Sequence, residues 1–195
     1  MRGETSGAEQ ITNRTMAEHL KEYGRYRDAL VKAAQIVRDK AVSYRNFKVG
    51  CAVMSWSRGL GDNYLIRTAG NFKPAPRKEI GREKRCAERN ALEAALTDAP
   101  EVIVAITTAS HELTTEVGAT EHDALHPCRD CRDLLRELMG QGVVRDETIV
   151  HSVYDSKQTT TVANPLQIKR AFILSEDELT VKELLERYAD DEKSD

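Results

Sequence analysis

Arg85-Cys86-Ala87-Glu88-Arg89-Asn90 and His126-Pro127-Cys128-Arg129-Asp130-Cys131-Arg132 are the two runs on which the reading of this chain turns. They hold three of its four cysteines, and each opens a stretch with helical character. Cys128 and Cys131 are three residues apart, so both thiols can face one point across a helical turn. Cys86 supplies a third thiol from a second helix N-terminus. Helix N-termini favour negative charge and lower a thiol's pKa. Three thiolates on a tetrahedral zinc leave one position for water, the arrangement of a catalytic rather than a structural metal. Glu88, two residues after Cys86, is placed to serve that water. The competing reading is a closed structural zinc with Cys51 or His126 as fourth ligand. It leaves Glu88 and Arg89 without a reason for their positions.

Cys86-Ala87-Glu88-Arg89 together with Pro127-Cys128-x-x-Cys131-Arg132 resembles the cytidine deaminase family. Zinc deaminases carry a His/Cys/Cys or three-cysteine site and a Glu that shuttles protons without binding the metal. The resemblance covers roughly residues 28–187, and its two cysteine motifs are the specific part. It implies an α/β protein, three layers α/β/α around a central mixed sheet of about five strands. It implies one Zn2+ per chain on Cys86, Cys128 and Cys131, with Glu88 catalytic. The reaction implied is hydrolytic loss of the exocyclic amine of a cytosine-type free nucleoside, with release of ammonia. Phe47 would line the cleft and Asn71 would hold sugar hydroxyls. The Ala87 backbone and the Pro127 carbonyl would hold the ring edge and its amino group. Arg89 and Arg132 would donate to thiolate sulfurs. A homo-oligomer, tetramer or dimer, is implied by the same analogy.

The chain departs from that family beyond Asn71. The family follows its second strand with an Asn-x-Glu step; here the residue two after Asn71 is Lys73. The loop from Phe72 to Arg85 carries Pro74, Pro76 and the cations Lys73, Arg77, Lys78, Arg82 and Lys84. Glu79 is either a replacement carboxylate or a solvated loop charge. A neutral ribose needs an acceptor carboxylate and an amide. A basic loop suits a phosphate, a carboxylate or an acidic protein neighbour better. Asp133 stands where the family often has Gln.

Composition narrows the remaining choices. With 195 residues the chain can bury a full core, and 40% hydrophobic with 31% charged residues is a globular balance. A net charge of −3 and a 5% aromatic share make nucleic acid an unlikely partner, since such binders use basic faces and stacking rings. Polynucleotide deaminases also usually carry His in place of Cys86. No apolar run spans a membrane, and no signal core opens the chain. Four cysteines without such a core read as metal or catalytic thiols in a cytoplasmic protein. The alternatives are a catalytically silent interaction module that keeps zinc as a structural clip, and a deaminase of a non-cytidine base or of a nucleotide.

In chain order, residues 1–12 are expected to be disordered, 13–188 to form a single domain, and 189–195 to be a mobile acidic tail. Thr15-Met16-Ala17-Glu18 fits a capping box. Leu20, Tyr26, Leu30, Ala33, Ala34, Val37 and Ala41 then recur at helical spacing, with Gly24 expected to split the helix. Strands are expected around Phe47–Met54, Tyr64–Asn71, Val102–Ala109 and Val143–Tyr154, with another at Thr159–Val162. Gly50 is expected to admit a close backbone, and Cys51 to be a buried structural thiol. Helices are expected from Cys86 and from Cys128, the second ending at Gly140 and Gly142. Ser110 to His126 is a long polar connection of the kind that covers pockets. His111 and His122 within it read as surface residues. Lys182-Glu183-Leu184-Leu185 resembles the family's C-terminal step, without its usual Pro.

Overall fold

The computed structural model describes residues 14–43, 47–60, 63–74, 85–110, 125–155 and 173–189. The expectations for residues 1–12, Glu79, His111, His122, Thr159–Val162 and 190–195 fall outside these. Helix α1 runs Met16–Asp39. The short strand β1 is Val42–Ser43, β2 is Val49–Ser57, β3 is Asn63–Gly70, and the short β4 is Phe72–Lys73. Helix α2, Ala87–Leu96, precedes β5, Val102–Ser110. Helix α3, Arg129–Gly140, precedes β6, Ile149–Asp155. Strand β7, Ile173–Thr180, leads into helix α4, Val181–Arg187.

Five strands form one mixed sheet in the order β3-β2-β5-β6-β7. β2 is antiparallel to both β3 and β5, so those two run the same way; β5 and β6 are parallel. The pleat of β2 sorts its side chains between two cores. Ala52, Met54 and Trp56 join Leu30 and Ala34 of α1 on one face. Cys51 and Val53 join Ala91, Leu92, Leu135 and Leu184 of the other helices on the opposite face. This is the expected three-layer α/β/α arrangement.

The capping box forms as read. Thr15 caps α1, and its side chain and that of Glu18 satisfy each other's backbone N–H groups. Gly24 does not split the helix, which continues for 24 residues. Gly24 is exposed, and its cost of about 1 kcal/mol is outweighed by the buried Tyr23, Leu30, Val31 and Ala34. Tyr26, placed in the apolar stripe, is 39% exposed; Tyr23 and His19 are buried instead. Val143 and Val144 are not strand residues, although Val143 accepts a backbone hydrogen bond from Ile103. The fifth strand of the sheet is Ile173–Thr180.

Gly50 shows why α1 lies so close to the sheet. A Cβ there would stand 2.0 Å from the Ala34 carbonyl oxygen and 2.5 Å from the Arg38 nitrogen. Only the missing side chain lets the helix backbone rest on the strand. The sheet order also fixes where chemistry can be built. β3 and β5 are parallel and so are β5 and β6, and helices α2 and α3 make the crossovers between them. The N-termini of both helices therefore meet at one edge, by Gly70, Ser110 and the start of β2. That is the carboxyl-end position at which α/β sheets carry their sites.

Candidate metal centre and active site

Cys86 is the N-cap of α2 and Cys128 the N-cap of α3, both with extended backbone and neither with a side-chain capping hydrogen bond. A cap oxygen from Ser, Thr, Asp or Asn is thus absent at both ends, and the positive ends of the two helices sit beside the thiols. Cys86 Sγ lies 3.5 Å from Cys128 Sγ, and Cys128 Sγ lies 3.6 Å from Cys131 Sγ. The three sulfurs fall within 4.8 Å of one another. Zinc–sulfur bonds of about 2.3 Å set tetrahedral S···S edges of about 3.8 Å, so the trio fits that ion with little movement. All four cysteines are free thiols.

The Cys86 thiol is pushed up to about 12, first by its hydrogen bond with Cys128 and also by burial. Cys131 is raised in the same way, first by Cys128. These are protonated thiols sharing hydrogens, and a metal that binds here displaces those protons. Neither alternative fourth ligand joins the group. Cys51 is fully buried in β2 and outside the trio. His126 uses both ring nitrogens elsewhere, Nδ1 with the Tyr188 hydroxyl at 2.8 Å and Nε2 with Asp177 at 2.9 Å. Among the described residues the donor set is therefore these three thiols, with no fourth ligand beside them.

Glu88 sits in the first turn of α2 and is only 5% exposed. Burial pushes its carboxyl up to about 7; the Cys128 side adds to the rise, while its own backbone N–H and Lys73 work against it. The group is thus poised between acid and base near neutral pH. Ala87 is buried beside it.

The remaining expected site residues divide. Asn71 is 3% exposed, and both ends of its amide are taken by backbone: Oδ1 accepts from Val49 N–H at 3.0 Å and Nδ2 donates to the Phe47 carbonyl at 2.8 Å. It pins the segment that carries Phe47. The Pro127 carbonyl, expected to face the amino group of a ring, accepts from Arg132 Nη1 at 2.9 Å. The Arg132 guanidinium also lies 4.2 Å from the Tyr188 ring centre. Arg89 Nη2 reaches the Asp130 carbonyl at 3.5 Å, and its Nε is buried with no hydrogen-bond partner. That leftover donor, beside the Cys128–Cys131 loop, fits a site that is completed by negative charge on sulfur. Asp133 is exposed and pairs with Arg136 at 2.7 Å, away from the thiols.

Two features escaped the sequence reading. Lys73 Nζ stands 5.0 Å from the centre of the Phe47 ring. Tyr188 bridges His126 and Arg132, tying the segment after α4 to the second cysteine loop. The substitution of Lys for Glu after Asn71 was a signal for the first; nothing local in the sequence pointed to the second.

Two helix N-termini with three thiols and a buried carboxylate, on a mixed sheet between helix layers, define a zinc-dependent hydrolase. Residues 25–145 match the family described as the cytidine and deoxycytidylate deaminase zinc-binding region. The chain belongs to that family, and it is a zinc-dependent hydrolytic deaminase. Its fold is similar to the cytidine deaminase of Burkholderia pseudomallei, at 24% identity and a TM-score of 0.50, over 80% of this chain and 94% of that one. The cytidine deaminase of Mycobacterium tuberculosis is similar at 18% identity and a TM-score of 0.49, over 81% of this chain and 92% of that one. No curated protein sequence matches this chain.

Proposed function

We propose that the chain deaminates a free cytosine-type nucleoside, cytidine, deoxycytidine or an analogue, with Cys86, Cys128 and Cys131 holding one zinc ion and Glu88 moving the protons. The observation that carries this is the buried Glu88, with its carboxyl near 7, beside an open group of three thiols. Zinc, when bound, supplies a Lewis acid that brings the pKa of water from about 16 towards about 7. Glu88 takes a proton from the attacking water and delivers it to the ring nitrogen next to the amine-bearing carbon. It then carries a proton to the departing amine, so that amine and water become carbonyl and ammonia. Arg89 and Arg132 offset thiolate charge, and the buried Arg89 Nε supports that role. The Pro127 carbonyl has a second lone pair for the amino group of the ring. Asn71 serves indirectly, by fixing Phe47 at the cleft wall.

Ammonia release from cytidine, deoxycytidine, cytosine, blasticidin S, adenosine and guanine, beside zinc content, tests the reading. Turnover of a cytosine compound, with zinc near one per chain, is expected. Glu88→Gln should keep the zinc and lose about a thousandfold in kcat. Zinc without turnover of any compound would leave a structural clip in its place. A homo-oligomer, tetramer or dimer, goes with this reading. It is supported by the exposed Val42 and Phe72, 49% and 42% accessible and paired across β1 and β4. Sedimentation at micromolar concentration that finds only monomer would refute it. A cytoplasmic location is also proposed; among the described residues no helix is long and apolar enough to cross a membrane.

A further inference from the structure

We infer that Tyr188 is a positioning residue for the second cysteine loop, holding His126 and Arg132 on either side of Cys128 and so keeping that thiol in the metal group. This rests on the three-thiol metal reading above. The need for such a brace is local. Cys128 is the N-cap of α3 and makes no side-chain capping hydrogen bond, so no cap fixes where the chain enters the helix. The fixing comes from outside the loop. The Tyr188 ring stands 4.2 Å from the Arg132 guanidinium, and Arg132 Nη1 in turn donates to the Pro127 carbonyl at 2.9 Å. The His126 ring meets the Tyr188 ring edge-on, with centres 5.9 Å apart. A carboxylate only accepts, so His126 Nε2 carries the hydrogen and donates to Asp177 at 2.9 Å. In that neutral tautomer Nδ1 accepts from the Tyr188 hydroxyl at 2.8 Å. Arg187 Nη1 completes the network on the same Asp177 oxygen at 2.6 Å. Tyr188 also packs on the core shared by α2, α3 and α4, so the brace is anchored. Asp177, Arg187 and Tyr188 lie beyond residues 25–145, the part that matches the family. Removing groups that orient a metal ligand from behind typically costs about 10–100-fold in metal affinity.

The test is the rate at which the zinc-loaded full chain gives up its metal to a chromogenic chelator, beside the absorption spectrum of the cobalt-substituted chain. Tyr188→Leu removes both contacts and should release zinc about tenfold faster or more, with displaced cobalt bands. Tyr188→Phe keeps the ring beside Arg132 and loses only the hydroxyl; it should release zinc about threefold faster. Leu185→Ala is the control, since that side chain packs from α4 on the same core. It should lower the melting temperature and leave the release rate and the cobalt bands at wild-type values. Wild-type release from either Tyr188 variant, or equal acceleration in Leu185→Ala, overturns the inference, because the contacts would then be ordinary packing. Should Tyr188→Leu fail to fold, Tyr188→Phe decides alone: faster release supports the inference, and unchanged release ends it. These readouts need no substrate, so an absence of turnover fails the substrate reading by itself. A wild-type chain that takes up neither zinc nor cobalt fails the metal reading, and the inference with it.

Discussion

Among the described residues, two places bring three metal-ligand atoms within 4.8 Å of one another: Cys86, Cys128 and Cys131 at one edge of the sheet, and His151, Glu176 and Glu178 on β6 and β7. Spacing alone does not tell them apart; the neighbours do. In the second group Arg27 of α1 bonds Glu178 through Nε at 2.8 Å and also pairs with Glu176. The Tyr23 hydroxyl donates to Glu178 at 2.8 Å. His151 Nε2 lies 2.7 Å from Glu176, which fixes the tautomer that donates there. A guanidinium already balances these carboxylates, and a metal would have to expel it. Among the thiols the nearest partners are each other, and two helix N-termini face them. A guanidinium is built into the second group, between the very carboxylates that a metal would need.

Removing a ligand from the first group has the largest expected effect. Cys131→Ala should drop zinc below about a tenth per chain and abolish turnover. Loss of the metal's share of folding energy should lower the melting temperature by about 10 °C or more. Cys51→Ala is the control, because that thiol is as buried but lies outside the trio. It should keep its zinc and lose only about 1–2 kcal/mol of stability through the small cavity. Zinc loss in Cys51→Ala would mean that the site is closed by a fourth thiol.

Arg27→Met probes the other group more gently. The pair is partly exposed, so the expected cost is about 1 kcal/mol in urea unfolding, with zinc still at one per chain. Zinc above one in this variant would show that the freed carboxylates accept a metal once the guanidinium has gone. Two zinc ions in the wild type would break the comparison outright.

The same contrast explains what could be read from the sequence. The cysteine runs carry their geometry locally: three-residue spacing and helix starts suffice, because the ligands sit on first turns. The continuous β-branched apolar run of Val102–Ala109 and the Thr15 capping box are local in the same sense. The backbone role of Asn71 was not legible, because an amide looks alike whether it meets a sugar or a backbone. Its partners, Phe47 and Val49, come from a segment more than twenty residues earlier. Gly24 misled because its cost of about 1 kcal/mol is set against sheet packing that the helix alone does not reveal. The Arg27–Tyr23–His151–Glu178 network joins α1 to β6 and β7 over more than a hundred residues, and no spacing rule reaches that far.

The smallest net change expected in the wild type is also the finest test, because the two regions titrate in opposite senses and nearly cancel. Burial, with Arg27 adding, pushes His151 down to about 4 from 6.5, against the weaker pull of Glu178 and Asp28. The unfolded chain therefore takes up a proton that the folded one refuses, and stability falls as pH drops from about 6.5 to 4. Glu88 is the reverse. Its carboxyl is raised from 4.5 to about 7, so the folded chain takes the proton first and stability rises as pH drops from 7 to 4.5. Both side chains are buried, and each contributes about 3 kcal/mol over its window. Glu178 acts lower: burial opposes its ionisation, but hydrogen bonds from Arg27 and Tyr23 outweigh that and hold it below the usual carboxylate value. In chelator, the wild type should thus be nearly flat in urea stability between pH 6.5 and 4.5. His151→Asn should grow more stable on acidification, and Glu88→Gln less stable. Saturating zinc favours the ionised Glu88 and should shrink its share, tilting the wild-type curve towards the His151 slope. Parallel curves for all three proteins would mean that neither group differs between folded and unfolded chains, and the electrostatic contrast between the two regions would be lost.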